Sequence, residues 1–244
     1  MHRYFVELSY NGSTFFGWQR QPKQISVQEE IENAFTKLNS NIPIVVVGCG
    51  RTDAGVHANH YVLHVDLEEV KDIEHLIFKL NRILPDSIVI HSVKAVSDEM
   101  HARFKATSRT YRYFINSKKN PFKQGLSWTF PQSLDFTAMN KAGQMLIGTK
   151  DFTSFSKVNT DVKTNICTVT KAHWVQVDEF NYYFEITADR FLRNMVRATV
   201  GTLLEIGTRK IKAESILEIL EKKDRGAAAI SVPAHGLFLW EVCY

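Results

Sequence analysis

The sequence predicts an α+β protein made of two similar units, and three observations predict it. Stretches with an apolar residue at every second position alternate with stretches at helical spacing. The order of these stretches in the first hundred residues returns, embellished, in the second half. No apolar run approaches the ~20 residues that a membrane-spanning helix requires. A chain of 244 residues, 44% hydrophobic and 23% charged, has the composition of an ordinary globular protein and suits one large domain or two small ones. Met1-His2-Arg3-Tyr4 leads directly into an alternating stretch, with no signal-peptide core. Cys49, Cys167 and Cys243 are scattered and form neither a disulfide framework nor a metal clip. These features predict a cytoplasmic protein with no membrane association.

Tyr4, Val6, Leu8 and Tyr10 alternate up to Asn11-Gly12, the pattern of a strand and turn. Ser26-Val27-Gln28-Glu29 is a capping box that opens a helix to about Leu38, with Ile31, Ala34, Phe35 and Leu38 on its apolar face. Ile44 to Val47 reads as a buried strand. A second strand from about His60 places Tyr61, Leu63, Val65 and Leu67 on one face and His60, Val62, His64 and Asp66 on the other. Asp72 caps a helix through Leu76, Ile77, Leu80 and Ile83 that Pro85 stops, and Ile88 to Val96 is a strand. The order β-α-β-β-α-β is that of a ferredoxin-like unit with an antiparallel sheet.

The second half predicts strands at Thr107–Asn116, Ser127–Phe130, Ile166–Val177 and Tyr182–Ala188, with a last strand at Leu237–Val242. Helices are predicted at Phe136–Ile147, Phe191–Ile206 and Ala213–Lys223. The expected organisation is two ferredoxin-like domains, residues 1–104 and 105–244, whose antiparallel sheets meet over a basic cleft.

The net charge of +4 is small, but its distribution is uneven. Between Met100 and Leu134 stand Arg103, Lys105, Arg109, Arg112, Lys118, Lys119 and Lys123, with no Asp or Glu. Arg190, Arg193 and Arg197, spaced three and four, would form one stripe on a helix. Arg209-Lys210-Ile211-Lys212 is a third cluster. Any one of these suits a solvated face; three together, with aromatics interleaved, point to a polyanion such as RNA.

Gly48-Cys49-Gly50-Arg51-Thr52-Asp53-Ala54-Gly55-Val56-His57-Ala58 places one carboxylate and one guanidinium in a loop with three glycines. Glycine lets a loop lift a side chain off a strand end, and a charge in such a place is expensive unless it has a task. A dinucleotide fingerprint would need glycine where Asp53 stands, and a phosphate loop would need Lys-Ser/Thr where Val56-His57 stands. An Asp in such a turn also commonly caps its own backbone, and the loop alone leaves both readings open.

On the strand after the linker, Arg109, Tyr111 and Tyr113 share one face and Thr110, Arg112 and Phe114 the other. A tyrosine flanked by arginines suits a base-stacking platform, and it equally suits a half-buried core position. His57, His60 and His64 lack an acidic or thiol partner at zinc-ligand spacing. No second acid in the loop completes a glycosidase pair.

The chain resembles the A family of tRNA pseudouridine synthases. The resemblance rests on Gly50-Arg51-Thr52-Asp53-Ala54-Gly55-Val56-His57-Ala58, on Tyr10-Asn11-Gly12 with Phe16-Gly17-Trp18-Gln19-Arg20-Gln21, on His101-Ala102-Arg103-Phe104 and on Arg109-Thr110-Tyr111-Arg112-Tyr113. Asp151-Phe152-Thr153-Ser154-Phe155, Phe191-Leu192-Arg193-Asn194-Met195-Val196-Arg197 and Gly236-Leu237-Phe238-Leu239 complete it.

The resemblance implies isomerisation of uridine to pseudouridine at positions 38, 39 and 40 of the tRNA anticodon stem-loop, without cofactor or metal. It implies Asp53 as the catalytic carboxylate, either a nucleophile at C1′ or the group that abstracts the 2′ hydrogen toward a glycal, Arg197 as its ion-pair partner and Arg51 as the residue that occupies the space of the flipped-out nucleotide. It makes Tyr111 the ring that stacks on the target uracil, and it implies a homodimer with tRNA across both subunits. The competing expectation is a non-catalytic RNA-binding protein of tandem ferredoxin-like domains. Its Lys/Arg-Gly-Phe-Gly-Phe strand signature does not occur.

Overall fold

A computed structural model describes residues 1–158 and 163–244. The described residues carry ten strands and five α-helices, an α+β arrangement. They divide into two compact units, Met1–Thr107 with Phe238–Tyr244, and Ser108–Leu237.

The first unit runs β1 (His2–Tyr10), α1 (Val27–Leu38), β2 (Val46–Gly48), β3 (His57–Leu67), α2 (Ile73–Ile83) and β4 (Ile88–Val96). β1 pairs antiparallel with both β3 and β4, and β2 pairs antiparallel with β3. Both helices begin as their caps predict: Ser26 Oγ accepts from the Glu29 amide, and an Asp72 carboxylate oxygen accepts from the His75 amide. Each such cap contributes about 1 kcal/mol. Val6, Leu8, Ile31, Phe35, Tyr61, Leu63 and Leu80 are buried in the core.

One expectation for this unit changes. The stretch Ile44 to Val47 is a strand of three residues, Val46–Gly48, and Val45 is exposed. On β3 the face with His60, Val62, His64 and Asp66 carries more polar residues than the other, yet Val62 and His64 are buried along with Tyr61 and Leu63. The second face of the sheet is covered: the Tyr244 ring lies 4.9 Å from that of Phe5, and the Ala102 amide donates to His64 Nδ1.

The second unit runs β5 (Ser108–Asn116), β6 (Trp128–Thr129), α3 (Phe136–Met145), β7 (Gly148–Asp151), β8 (Ile166–Gln176), β9 (Asn181–Ala188), α4 (Met195–Gly207) and α5 (Ser215–Lys222). β9 lies between β5 and β8, antiparallel to both, and β7 pairs with β8. β7 was not expected from the sequence, because Gly-Thr-Lys-Asp has no apolar alternation. The last strand, β10 (Leu237–Cys243), pairs with β3 of the first unit.

The sheets are mixed rather than purely antiparallel. β10 runs parallel to β3, and β6 runs parallel to β5. A parallel pairing needs a long connection. In β10 the whole second unit supplies it; between β5 and β6 a loop with a short 3₁₀ turn at Pro121–Lys123 does.

The helix expected from Phe191 starts at Met195. Asn194 stands at its N-cap with φ +68°, and its Nδ2 donates to Ser231 Oγ. That left-handed residue ends any continuous helix from Arg190 to Arg197. Arg190 and Arg193 precede α4, so the three arginines do not form one helical stripe. α4 is buried along most of its length, because the segment after α5 runs across it. A Cβ on Gly201 would lie 2.1 Å from the Ile230 carbonyl oxygen, so only glycine admits that crossing.

Candidate active site

Asp53 sits half-buried and Arg51 exposed in the loop between β2 and β3. The residues around them are clamped. The Cys49 amide donates to the Val62 carbonyl and the Tyr61 hydroxyl donates to that of Gly50, fixing the loop's entry. The Val56 amide donates to the Asp53 carbonyl at 3.1 Å, and Gly55 turns the chain with φ +75°. The backbone of Asp53 is therefore closed into a turn whose exit is the buried His57.

The first strand and its following turn supply the other wall. A bulge after Leu8 brings Tyr10 opposite Ala58 at the start of β3. The Tyr10 hydroxyl lies 2.7 Å from Thr52 Oγ1, fully buried. The Trp18 amide donates to the Thr52 carbonyl, and the Gly55 amide donates to that of Phe15. The Gly12 amide donates to His57 Nδ1, and the His57 ring stacks at 4.4 Å on Phe238. Trp18 stacks at 4.0 Å on Tyr61. Both neighbouring glycines are required for space: a Cβ on Gly12 would stand 2.0 Å from the Val56 carbonyl oxygen, and one on Gly17 2.5 Å from that of Thr52.

In the second unit Tyr111 lies on β5 opposite Ile186, half-buried. The Phe191 ring meets it edge-on, centroids 5.0 Å apart at 82°. Tyr113, on the same face, is a core residue: its hydroxyl donates to the Pro233 carbonyl at 2.9 Å. Burial pushes its phenol well above the ordinary range, and the nearby Arg197 charge pulls the other way. Arg197 lies in the first turn of α4, where its Nε donates to the Val232 carbonyl at 2.7 Å and its own carbonyl accepts from the Val232 amide. The second unit thus carries Tyr111 two residues before Tyr113 on β5 and Arg197 close enough for its charge to act on Tyr113, while Arg51 and Asp53 belong to the first. Gly236 completes the arrangement, since a Cβ there would meet Tyr113 at 2.8 Å and the Phe114 carbonyl oxygen at 2.9 Å.

A family model described as tRNA pseudouridine synthase matches residues 8–105 and 142–244. The chain belongs to the tRNA pseudouridine synthase family. It is 50% identical to a protein named tRNA pseudouridine synthase A from Parabacteroides distasonis, across all of this chain and 96% of the relative. A protein of the same name from Bacteroides fragilis is 48% identical, across all of this chain and 97% of the relative. One from Porphyromonas gingivalis is 47% identical, across all of this chain and 98% of the relative.

In this pseudouridine synthase the matched segments contain Arg51, Asp53 and Arg197, whereas Tyr111 falls in the interval between them. The three histidines near the loop each hold a backbone amide through Nδ1: His57 that of Gly12, His60 that of Val242 and His64 that of Ala102. Among the described residues no cluster of His, Cys, Asp and Glu is arranged to hold a metal, and no helix is long and apolar enough to cross a membrane. Of the basic residues after Met100, Arg112 is committed internally, to the buried Glu185 that also holds Lys171. The roles of Gly12, Gly17 and His57 in building the loop escaped the sequence reading. Asn11-Gly12 and Phe16-Gly17-Trp18 marked the places, but spacing alone does not bring a first-strand turn against a loop forty residues later.

Proposed function

We propose that this isomerase converts uridine to pseudouridine at positions 38, 39 and 40 of the tRNA anticodon stem-loop, with Asp53 as its nucleophile. The observation that carries the reading is the Asp53 loop, a carboxylate in a turn clamped by Tyr10, Trp18, Tyr61 and His57, on a chain of this family. A catalytic group held within a few tenths of an ångström converts binding into rate, and such a clamp supplies that placement. In the reaction the N1–C1′ bond breaks, the uracil turns over while held, and C5 bonds to C1′. N1 gains a proton and the C5 hydrogen is lost to solvent. Asp53 acts at C1′ as nucleophile, or at the 2′ position toward a glycal; the C5 exchange is common to both routes.

Arg197 is the ion-pair partner of Asp53. Arg51 occupies the space of the extruded nucleotide. Extrusion costs a few kcal/mol, least in a loop, which suits an anticodon-loop target. Tyr111 stacks on the uracil, its ring already oriented by Phe191. Two ferredoxin-like domains make up the chain, 1–104 carrying the Asp loop and 105–244 carrying the Tyr strand and the Arg helix. The enzyme works in the cytoplasm as a homodimer, without cofactor.

Tritium release from unmodified tRNA labelled at uridine C5 tests this. The parent protein should release tritium, and Asp53→Asn should release none while binding tRNA within a fewfold of the parent. Release by Asp53→Asn at the parent rate would remove Asp53 from the chemistry.

A further inference from the structure

The turn from His101 to Lys105 belongs to a motif that the proposed chemistry leaves without a task. It is held from several sides. The Ala102 amide donates to His64 Nδ1 at 3.1 Å, and the Ala102 carbonyl accepts from the Tyr244 hydroxyl at 2.7 Å. Arg3, paired through both its terminal and its Nε groups with Asp66, also donates to the carbonyls of Asp98 and Met100. His101 Nδ1 accepts from the amides of Arg103 and Phe104, and the Lys105 amide closes the turn on the His101 carbonyl.

Yet this well-fixed turn holds a large apolar ring in water. Phe104 is 73% exposed. Beneath it lies a ladder of rings: His101 at 4.3 Å and, under that, His64 at 4.6 Å. The Arg103 guanidinium lies 5.6 Å from the Phe104 centroid. A single exposed phenylalanine on a floppy loop would need no explanation. One carried on a turn anchored by a buried contact, with a guanidinium over its ring, has a backbone already ordered before binding. Unpaired nucleotides are held by this combination, an aromatic face for the base and a basic side chain for the phosphate. The sequence from His101 to Leu134 contains no acid, so nothing in it repels a phosphate backbone.

We propose that Phe104 is a preformed stacking platform for an unpaired base of the bound tRNA, with Arg103 beside it on the flanking phosphate. This is a positioning contact outside the reacting centre, and it rests on tRNA being the substrate. Stacking one base on an aromatic ring is worth roughly tenfold or more in affinity.

Three proteins decide it: the parent, Phe104→Leu and Phe104→Trp. With an unmodified tRNA transcript, Phe104→Leu should raise both the Kd from filter binding and the KM from tritium release about tenfold. Its kcat should stay within about twofold, and its melting temperature and its mass in solution should match the parent's. Phe104→Trp, which keeps a stacking face, should bind within about twofold of the parent. Unchanged tRNA affinity in Phe104→Leu overturns the inference, and so does a Trp variant as weak as the Leu variant. A lowered melting temperature would make the ring a packing group, and a lowered mass would make it a subunit contact; either also overturns it. A parent that binds no tRNA would remove the proposed function together with this inference, whereas failure of the variants alone removes only the platform.

Discussion

The hydroxyls of Tyr10 and Thr52 lie 2.7 Å apart in a fully buried hydrogen bond, joining the first strand to the residue before Asp53. A buried hydroxyl that loses its partner costs about 1–3 kcal/mol. Tyr10→Phe should therefore lower the melting temperature by a few degrees and lower kcat further than its effect on tRNA affinity, because the loop it anchors carries the carboxylate. Tritium release and filter binding on the same preparation separate the two effects. A rate equal to the parent's would show that the other clamps suffice to place Asp53.

Gly17 and Gly148 both have positive φ, +92° and +103°, but their surroundings differ. At Gly17 a Cβ would stand 2.5 Å from the Thr52 carbonyl oxygen, a backbone atom that cannot give way without moving the Asp53 loop. At Gly148 a Cβ would meet nothing within 4 Å. Gly148→Ala should cost only the backbone strain, about 1–2 kcal/mol. Gly17→Ala adds overpacking of about 1–3 kcal/mol, directed at the loop. Thermal melts should rank the two, and only Gly17→Ala should lose activity beyond what its stability explains.

Arg112 and Lys171 hold the two oxygens of Glu185, whose side chain is almost fully buried. Arg112 is largely covered and stacks on Tyr183 at 4.5 Å, whereas Lys171 is half in water. Removing Arg112 leaves a buried carboxylate short of its better-covered counter-charge, a loss of about 3–5 kcal/mol. Removing an exposed partner costs about 0–1 kcal/mol. Urea melts should show Arg112→Met much the weaker of the two methionine variants. Equal losses would mean that Lys171 carries the pair.

His64 is buried between Arg3, His101 and Asp66, and its imidazole is pushed down to about 4. Burial is the main cause; the Arg3 and His101 charges add to it, and Asp66 opposes it. The unfolded chain takes up this proton below about 6.5, the folded chain only below about 4. The resulting stability is fully present above pH 6.5 and is lost as the pH falls toward 4. One such group contributes a slope of up to about 1.4 kcal/mol per pH unit. Denaturant melts between pH 6.5 and 4.5 should show a shallower slope for His64→Gln than for the parent, and parallel curves would mean that His64 titrates alike in both states.

Most elements of the fold were legible because their signals are local. The caps at Ser26 and Asp72, the alternation from Tyr4 to Tyr10 and the turn at Asn11-Gly12 each act within a few residues. The misread elements were those decided by partners far away in sequence. Apolar spacing carried the expected helix back to Phe191, but Ser231 holds Asn194 in a left-handed conformation that stops it. His64 reads as polar-face by alternation and is buried because Ala102 and the chain end cover it. The Asp53 loop was visible as a string of glycines and charges; the hydroxyl, amide and ring contacts that clamp it come from Tyr10 to Trp18 and were not.

The Phe191 ring meets Tyr111 edge-on, so replacing the phenol by phenyl leaves that contact and the stacking face in place. Tyr111→Phe therefore isolates the hydroxyl. If the hydroxyl takes the C5 proton, the variant should bind tRNA within a fewfold of the parent and lose about a hundredfold in rate, the usual contribution of a positioned base. Single-turnover tritium release at saturating enzyme reads the chemical step free of binding. A variant retaining half the parent rate would leave Tyr111 only its stacking role, and the proton would then pass to another acceptor.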